Sequence, residues 1–210
     1  MALDKKSMIN HNNVKGGYKD LTLDVVREQN ERCTENRIQY DDDKPIGRML
    51  DANPDIQVCV DIGSGLGWAA AFMAETRKKV YAIEPSKQAM EIAGKLYAEK
   101  HENIIWMPDF AEDALTMIWF TEDEPVFFNT LCVLSHLEDV SVLAICDEVN
   151  KAPLGSVISF SELWGEESHE ALWHTRTKEW WKNALPSFKL DFIERPCQKP
   201  GRFKSFTGTK

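Results

Sequence analysis

Residues 58–67 have the sequence VCVDIGSGLG, and no other stretch says as much about the fold. Apolar residues interrupted only by Asp61 predict a buried strand, and the alanine-rich residues that follow predict a helix. Between them stand Gly63, Gly65 and Gly67. Glycine permits positive φ angles and a close approach of backbone to ligand. A strand, a glycine loop and a helix in this order predict a nucleotide-like cofactor at the carboxyl end of the strand.

The same strand–helix alternation continues along the chain. Strand-like runs lie at residues 56–62, 79–83, 103–107, 126–133 and 156–163, and helical patterns lie at 68–76, 86–100, 111–118 and 138–150. Two further strand-like runs, 188–194 and 202–207, flank a turn that contains proline and glycine. The pattern predicts an α/β, three-layer Rossmann-like sandwich with a seven-stranded, mostly parallel sheet and an antiparallel C-terminal hairpin. We expect residues 1–20 to form a flexible arm and residues 21–210 to form one domain.

Composition narrows the classes of protein to which this chain can belong. It has 210 residues, 43% of them hydrophobic, and a formal net charge of -9. The negative charge argues against a nucleic-acid backbone as partner, and no apolar run is long enough for a bilayer, so we predict no membrane partner. The cysteines are scattered and odd in number, which predicts a reduced, cytoplasmic protein with no metal cluster: Cys33, Cys59, Cys132, Cys146 and Cys197. Cys59, Cys132 and Cys146 stand among apolar residues and are predicted to be core residues.

The residue types around the glycine loop distinguish between cofactors. A dinucleotide fingerprint requires a small residue at position 68, where this chain has Trp68. Asp61 stands two residues before the first glycine, where its carboxylate would repel a pyrophosphate but suit an ammonium group. The loop therefore favours S-adenosylmethionine (SAM) over NAD, although an NAD-dependent oxidoreductase remains an alternative.

These motifs resemble those of the class I (Rossmann-like) SAM-dependent methyltransferases. VDIGSGLGW (60–68) is similar to the family's first motif, and KVYAIEPS (79–86) resembles its second strand, which ends in an acidic residue. By this resemblance Glu84 binds both ribose hydroxyls, Asp109 and Phe110 lie beside the adenine, and residues 129–131 lie over the methionine portion. The resemblance covers about residues 45–165. The predicted cofactor-binding residues are Asp61, Gly63, Ser64, Gly65, Gly67, Trp68, Glu84, Pro85, Asp109, Phe110, Thr130 and Leu131.

Two positions depart from the family pattern. Pro125 begins the fourth strand where many relatives have an acidic residue, and the later turn, residues 152–155, has one glycine instead of two. Neither position is indispensable for SAM binding. Both weaken any transfer of detail about the acceptor.

Methyl transfer to an alcohol requires removal of its proton, and a positioned histidine or carboxylate is the usual base. His174 is the first candidate, His169 the second and His136 the third. The first two lie in the tryptophan-rich segment 164–181, which follows the fifth strand and is predicted to border the acceptor pocket. His136 follows the fourth strand, near the expected position of the methyl group.

The sequence thus predicts a SAM-dependent methyltransferase for a small polar molecule, with oxygen slightly favoured over nitrogen as the acceptor atom. A SAM-binding partner subunit without activity and a protein or peptide acceptor remain open. The oligomeric state also remains open.

Overall fold

The computed structural model describes residues 46–165, 174–193 and 204–210. The predicted N-terminal arm and the early part of the predicted domain, up to residue 45, lie outside the described residues, as does His169. The elements in chain order are α1 (Ile46–Ala52), β1 (Val58–Ile62), α2 (Trp68–Ala74), β2 (Lys79–Ile83), α3 (Lys87–Tyr97), β3 (Ile104–Met107), α4 (Ala111–Met117), β4 (Val126–Leu131), α5 (Asp139–Asn150), β5 (Val157–Glu162), α6 (Lys178–Ala184), β6 (Lys189–Phe192) and β7 (Lys204–Thr209).

The seven strands form one sheet in the order β3-β2-β1-β4-β5-β7-β6. The first five strands of this order are parallel, and β7 pairs antiparallel with both β5 and β6. The predicted fold class is therefore confirmed, including the antiparallel strands at the C-terminus. After β3 the chain crosses to the other side of β1, which makes the β1–β4 junction the switch point where ligands bind in open α/β sheets.

Apolar side chains cover both faces of the sheet. On one face Ile46 of α1 and the alanines of α2 pack with strand residues such as Phe127. On the other, the core of α4, α5 and α6 includes Leu115, Ile145 and Trp181. No helix in the three described ranges has the length and apolarity to span a membrane.

Three local expectations change. The sequence after β5 has a helical pattern from residue 164 to about residue 185, but its described part contains a helix of only seven residues, α6. Several predicted strands are shorter by one or two residues at their ends. Cys132 is not a core residue like Cys59 and Cys146: it is partly exposed, directly after β4, with a φ angle of 60°. The chain has to turn out of the sheet there, and apolar neighbours in sequence do not reveal this.

Candidate cofactor and acceptor site

A cavity of about 370 Å³ lies at the carboxyl ends of the central strands, which is the predicted position. This volume falls within the range of small-molecule sites. Its lining residues come from the glycine loop, from the end of β2, from the start of α4 and from residues that follow β4. They are Asp61, Gly63, Ser64, Gly65, Leu66, Trp68, Ala69, Glu84, Pro85, Phe110, Leu131, Cys132, Val133, His136 and Leu137.

The glycine loop has the backbone conformation that its sequence predicts. Gly63, Gly65 and Gly67 have φ angles of 70°, 53° and 80°. A Cβ on Gly63 would come within 2.4 Å of the Val133 side chain, and one on Gly67 within 2.7 Å of the Trp106 ring. The absence of a side chain at Gly63 therefore lets Val133, after β4, pack against the glycine loop. The absence of one at Gly67 makes room for the Trp106 ring, and Gly67 does not line the cavity.

Asp61 is buried at the end of β1, directly beside Asn129 of β4. The Asn129 amide donates to Asp61 Oδ1 over 2.7 Å, while Asp61 Oδ2 has no hydrogen-bond partner among the described residues. Burial raises the pKa of Asp61 to about 6, although the Asn129 hydrogen bond acts in the opposite direction. An unpartnered buried carboxylate oxygen on a cavity wall is costly, and a cationic ligand would relieve that cost.

Glu84 is the second carboxylate of the cavity. Its Oε2 accepts from the Gly65 backbone N–H over 3.1 Å, and its Oε1 accepts from the Ser86 N–H over 2.9 Å. Burial raises the pKa of Glu84, and these two hydrogen bonds counteract the effect. Each oxygen keeps a further lone pair, so the carboxylate can accept from two neighbouring hydroxyl groups.

Nine of the twelve predicted cofactor residues line the cavity, and three do not. Besides Gly67, these are Asp109 and Thr130. Asp109 Oδ1 accepts from the backbone N–H of Phe110 over 2.8 Å, and Thr130 is fully buried. Side chains alternate along a strand, so Leu131 faces the cavity and Thr130 points to the opposite side of the sheet.

The donor and acceptor set fits SAM. Asp61 Oδ2 suits the α-ammonium of the methionine portion, and Glu84 suits the ribose diol. Phe110 offers an apolar surface for the adenine. Ser64, whose buried hydroxyl has no partner in the part of the chain that the structure describes, offers a further polar contact.

Comparison with known proteins supports the same cofactor class. Residues 60–150 match the family model described as a methyltransferase domain, and this range includes most of the cavity wall. This match and the class I fold together support a SAM-dependent methyltransferase. The motif resemblance and the predicted cofactor are thereby confirmed.

Solved structures share the fold of this methyltransferase at low sequence identity. Magnesium protoporphyrin IX methyltransferase from Synechocystis PCC 6803, solved with bound SAM, has a TM-score of 0.65 and 14% identity, over 100% of this chain and 98% of that one. A Streptococcus mutans protein in complex with SAH, the demethylated product S-adenosylhomocysteine, has a TM-score of 0.55 and 17% identity, over 80% and 98% of the two chains. TehB from Haemophilus influenzae has a TM-score of 0.61 and 14% identity, over 78% and 62%. No curated protein sequence matches the chain significantly.

The two candidate bases that the structure describes, His136 and His174, do not follow the order predicted from the sequence. His136 lines the cavity, in a short 3₁₀ turn between β4 and α5. His174 does not line it: the imidazole is partly exposed, and its Nε2 lies 3.6 Å from Glu138 Oε1. Of the two candidate histidines that the structure describes, His136 lines the cavity and His174 does not.

The described residues of the segment 164–181 also do not line the cavity. Trp164 and Trp181 are buried in the core beneath α5 and α6. Arg176 is buried too, with its guanidinium 4.9 Å from the Trp180 ring centre. The described chain after β5 lies on the α5 side of the sheet, and these two tryptophans pack into the core there. The predicted acceptor pocket at this segment finds no support among them.

Sequence reasoning missed a buried carboxylate, Glu162, at the end of β5. It accepts four hydrogen bonds, from the Thr130 hydroxyl, the Val133 N–H, and the N–H and hydroxyl of Ser135. A signal was available, because Glu162 is a charged residue at the end of a wholly buried strand, as Glu84 is after β2.

Proposed function

We propose that this methyltransferase transfers the SAM methyl group to an oxygen atom of a small polar molecule, with His136 as the base. The observation that carries the proposal is the position of His136. It lines the same cavity as Asp61, Glu84 and Phe110.

When bound, SAM supplies a methyl group attached to a sulfonium sulfur, and this sulfur becomes a neutral thioether once the methyl group is transferred. The residues of the chain then have three tasks. Asp61 holds the ammonium group and Glu84 holds the ribose, which together fix the orientation of the cofactor. Leu131, Val133 and Leu137 form an apolar wall that keeps water from the reacting atoms. His136 accepts the hydroxyl proton of the acceptor as a general base.

Two further expectations are part of the proposal. We infer that residues 21–210 form a single domain, and that the reduced cysteines Cys59, Cys132 and Cys146 reflect a cytoplasmic location. The net charge of -9 supports a small acceptor over a nucleic acid.

The cofactor half of the proposal is tested by thermal unfolding with ligands. SAM and SAH should each raise the melting temperature, since a ligand at a hundredfold excess over its dissociation constant stabilises by about 2.7 kcal/mol. NAD serves as the control. A shift with NAD and none with SAM or SAH would contradict the cofactor assignment.

The acceptor half is tested with isotopically labelled SAM and a panel of hydroxyl and amine compounds, with products identified by mass spectrometry. His136→Ala should lower turnover about a hundredfold, as expected for loss of a general base. His174→Ala and His101→Ala are the matched controls and should retain activity. Products methylated only at nitrogen, or equal losses in the His136 and His174 variants, would contradict the proposal. SAM binding without any product would favour the inactive partner subunit.

A further inference from the structure

The β4–α5 loop, residues 132–138, carries His136 and three more of the fifteen residues that line the cavity, and it is held from two sides. Glu162 accepts from its backbone at Val133 and Ser135, over 3.1 and 2.9 Å, and from the Ser135 hydroxyl over 2.8 Å. The fourth donor, the Thr130 hydroxyl, connects the same carboxylate to β4 over 2.7 Å. Glu162 is fully buried and does not line the cavity, so these bonds face the loop and the sheet, not a ligand.

On the other side Arg176 binds the carbonyl groups of the same loop. Its guanidinium donates to Leu134 O over 2.8 Å, to Leu137 O over 2.7 Å, and to Asp139 Oδ1 over 2.9 Å. The backbone N–H of His174 donates a further hydrogen bond to Ser135 O over 2.7 Å. The Glu162 carboxylate therefore accepts hydrogen bonds from N–H groups of the loop, and the Arg176 guanidinium donates to its carbonyl groups.

The loop conformation needs such restraint. Cys132 adopts a φ angle of 60°, which is unfavourable for a residue with a Cβ, and its N–H donates to Ser161 O of β5 over 2.8 Å. Directly after it, Val133 packs where a Cβ on Gly63 would stand. A strained residue persists only where the surroundings determine its conformation, and strain of this kind is found at functional sites.

We propose that Glu162 and Arg176 are positioning residues that fix His136 against the cofactor cavity. They act through the loop and do not touch the reacting molecules. The role in catalysis rests on the proposed function, because it is exerted through His136. The placement of the loop itself does not depend on that function.

The test compares Glu162→Gln and Arg176→Lys with wild type, using SAH as the ligand. Glutamine has the size of glutamate but presents an NH₂ group to the loop's N–H or hydroxyl donors. Lysine keeps the charge of Arg176 but loses the planar fork that bonds several acceptors. Glu179→Gln, at a largely exposed glutamate of α6, is the matched control.

Two readouts report the loop directly. One is the rate at which maleimide labels Cys132, mapped by peptide mass spectrometry; the other is the NMR signal of the His136 imidazole, assigned with a His136 variant. In both folded variants the Cys132 rate should rise about tenfold or more, as expected for easier local opening, and the imidazole signal should shift. SAH affinity should change much less, since Asp61, Gly65 and Glu84 lie outside the loop.

Wild-type labelling and an unshifted imidazole in folded Glu162→Gln would overturn the proposal, as would equal changes in Glu179→Gln. If Glu162→Gln does not fold, Ser135→Ala serves instead, because it removes one donor to Glu162 and the acceptor of the Leu163 N–H. Ser135→Ala should then raise the Cys132 rate, and an unchanged rate would overturn the proposal. In wild type, SAH should protect Cys132 from maleimide. Binding without protection would contradict the proposed site and leave the comparison of the unliganded variants intact.

Discussion

Glu84 and Glu162 are buried glutamates at the carboxyl ends of two parallel strands, β2 and β5, yet they face different groups. Glu84 accepts from two backbone N–H groups and lines the cavity, with acceptor capacity left for a ligand. Glu162 accepts from four donors of the protein and lines no part of the cavity. A buried carboxylate at a strand end is thus a ligand group only where the protein leaves some of its lone pairs unused.

The largest effect that this comparison predicts is on stability. Glu162→Ala leaves four buried donors without an acceptor, and each unsatisfied group costs about 1–3 kcal/mol, so the free energy of unfolding should fall by about 4 kcal/mol or more. Urea denaturation followed by circular dichroism measures the loss. A decrease below about 1 kcal/mol would mean that the donors find other partners.

Gly63→Ala tests the contact between the glycine loop and the β4–α5 loop. The new Cβ would overlap the Val133 side chain at a φ angle of 70°, and overpacking of this kind costs about 1–3 kcal/mol. The variant should be less stable in urea and bind SAH more weakly. Unchanged stability would show that Val133 moves aside without cost.

Glu84→Ala should act mainly on ligand affinity. The variant loses hydrogen bonds of an ionised group, worth about 1.5–3 kcal/mol, so SAH should bind about thirtyfold more weakly by calorimetry. The unfolding free energy should fall less than in Glu162→Ala, because Glu84 accepts two hydrogen bonds and not four. Wild-type SAH affinity in the folded variant would remove Glu84 from the cofactor site.

Asp61 predicts a pH dependence of ligand binding. Burial raises the pKa of Asp61 in the folded protein to about 6. Protonated Asp61 therefore adds to the free energy of unfolding at low pH, and this contribution is lost as the pH rises through about 6. A ligand ammonium pairs with the ionised form, so SAH affinity should increase by about tenfold between pH 5 and pH 7. Calorimetry across that range checks the trend.

Asp61→Asn separates this effect from that of Glu84, whose pKa is also raised by burial. The variant should bind SAH more weakly at pH 7 and keep only the part of the pH dependence that Glu84 causes. A pH profile identical to that of wild type would exclude Asp61 as the titrating group.

The smallest effect provides a reference for the glycines. In the three described ranges nothing lies within 4 Å of a Cβ on Gly94, in the middle of α3, so Gly94→Ala should stabilise the protein by about 0.5–1 kcal/mol. The same urea titration measures it. A destabilisation would show that the glycine has a role beyond the helix.

The cofactor site could be predicted from the sequence because each of its residues lies close in the chain to a strand that the sequence also predicts. The glycines, Asp61 and Glu84 each follow a predicted strand, and in a parallel sheet the carboxyl ends of neighbouring strands meet at one edge. The residues that border the acceptor could not be predicted in this way. His174 and the tryptophans near it are near β5 in sequence, but the described part of that segment packs behind the loop that carries His136.

The sequence by itself determined the order of strands and helices, the place of the glycine loop and the cofactor class, since each depends on residues close together in the chain. Only the tertiary structure decided which polar residues face the cavity. Thr130, Glu162 and Arg176 are separated by up to 46 residues. Thr130 donates to Glu162, and Glu162 and Arg176 both bind the β4–α5 loop, because β4, β5 and the chain after β5 pack together. Whether a buried charge binds a ligand or holds a loop depends on such distant partners.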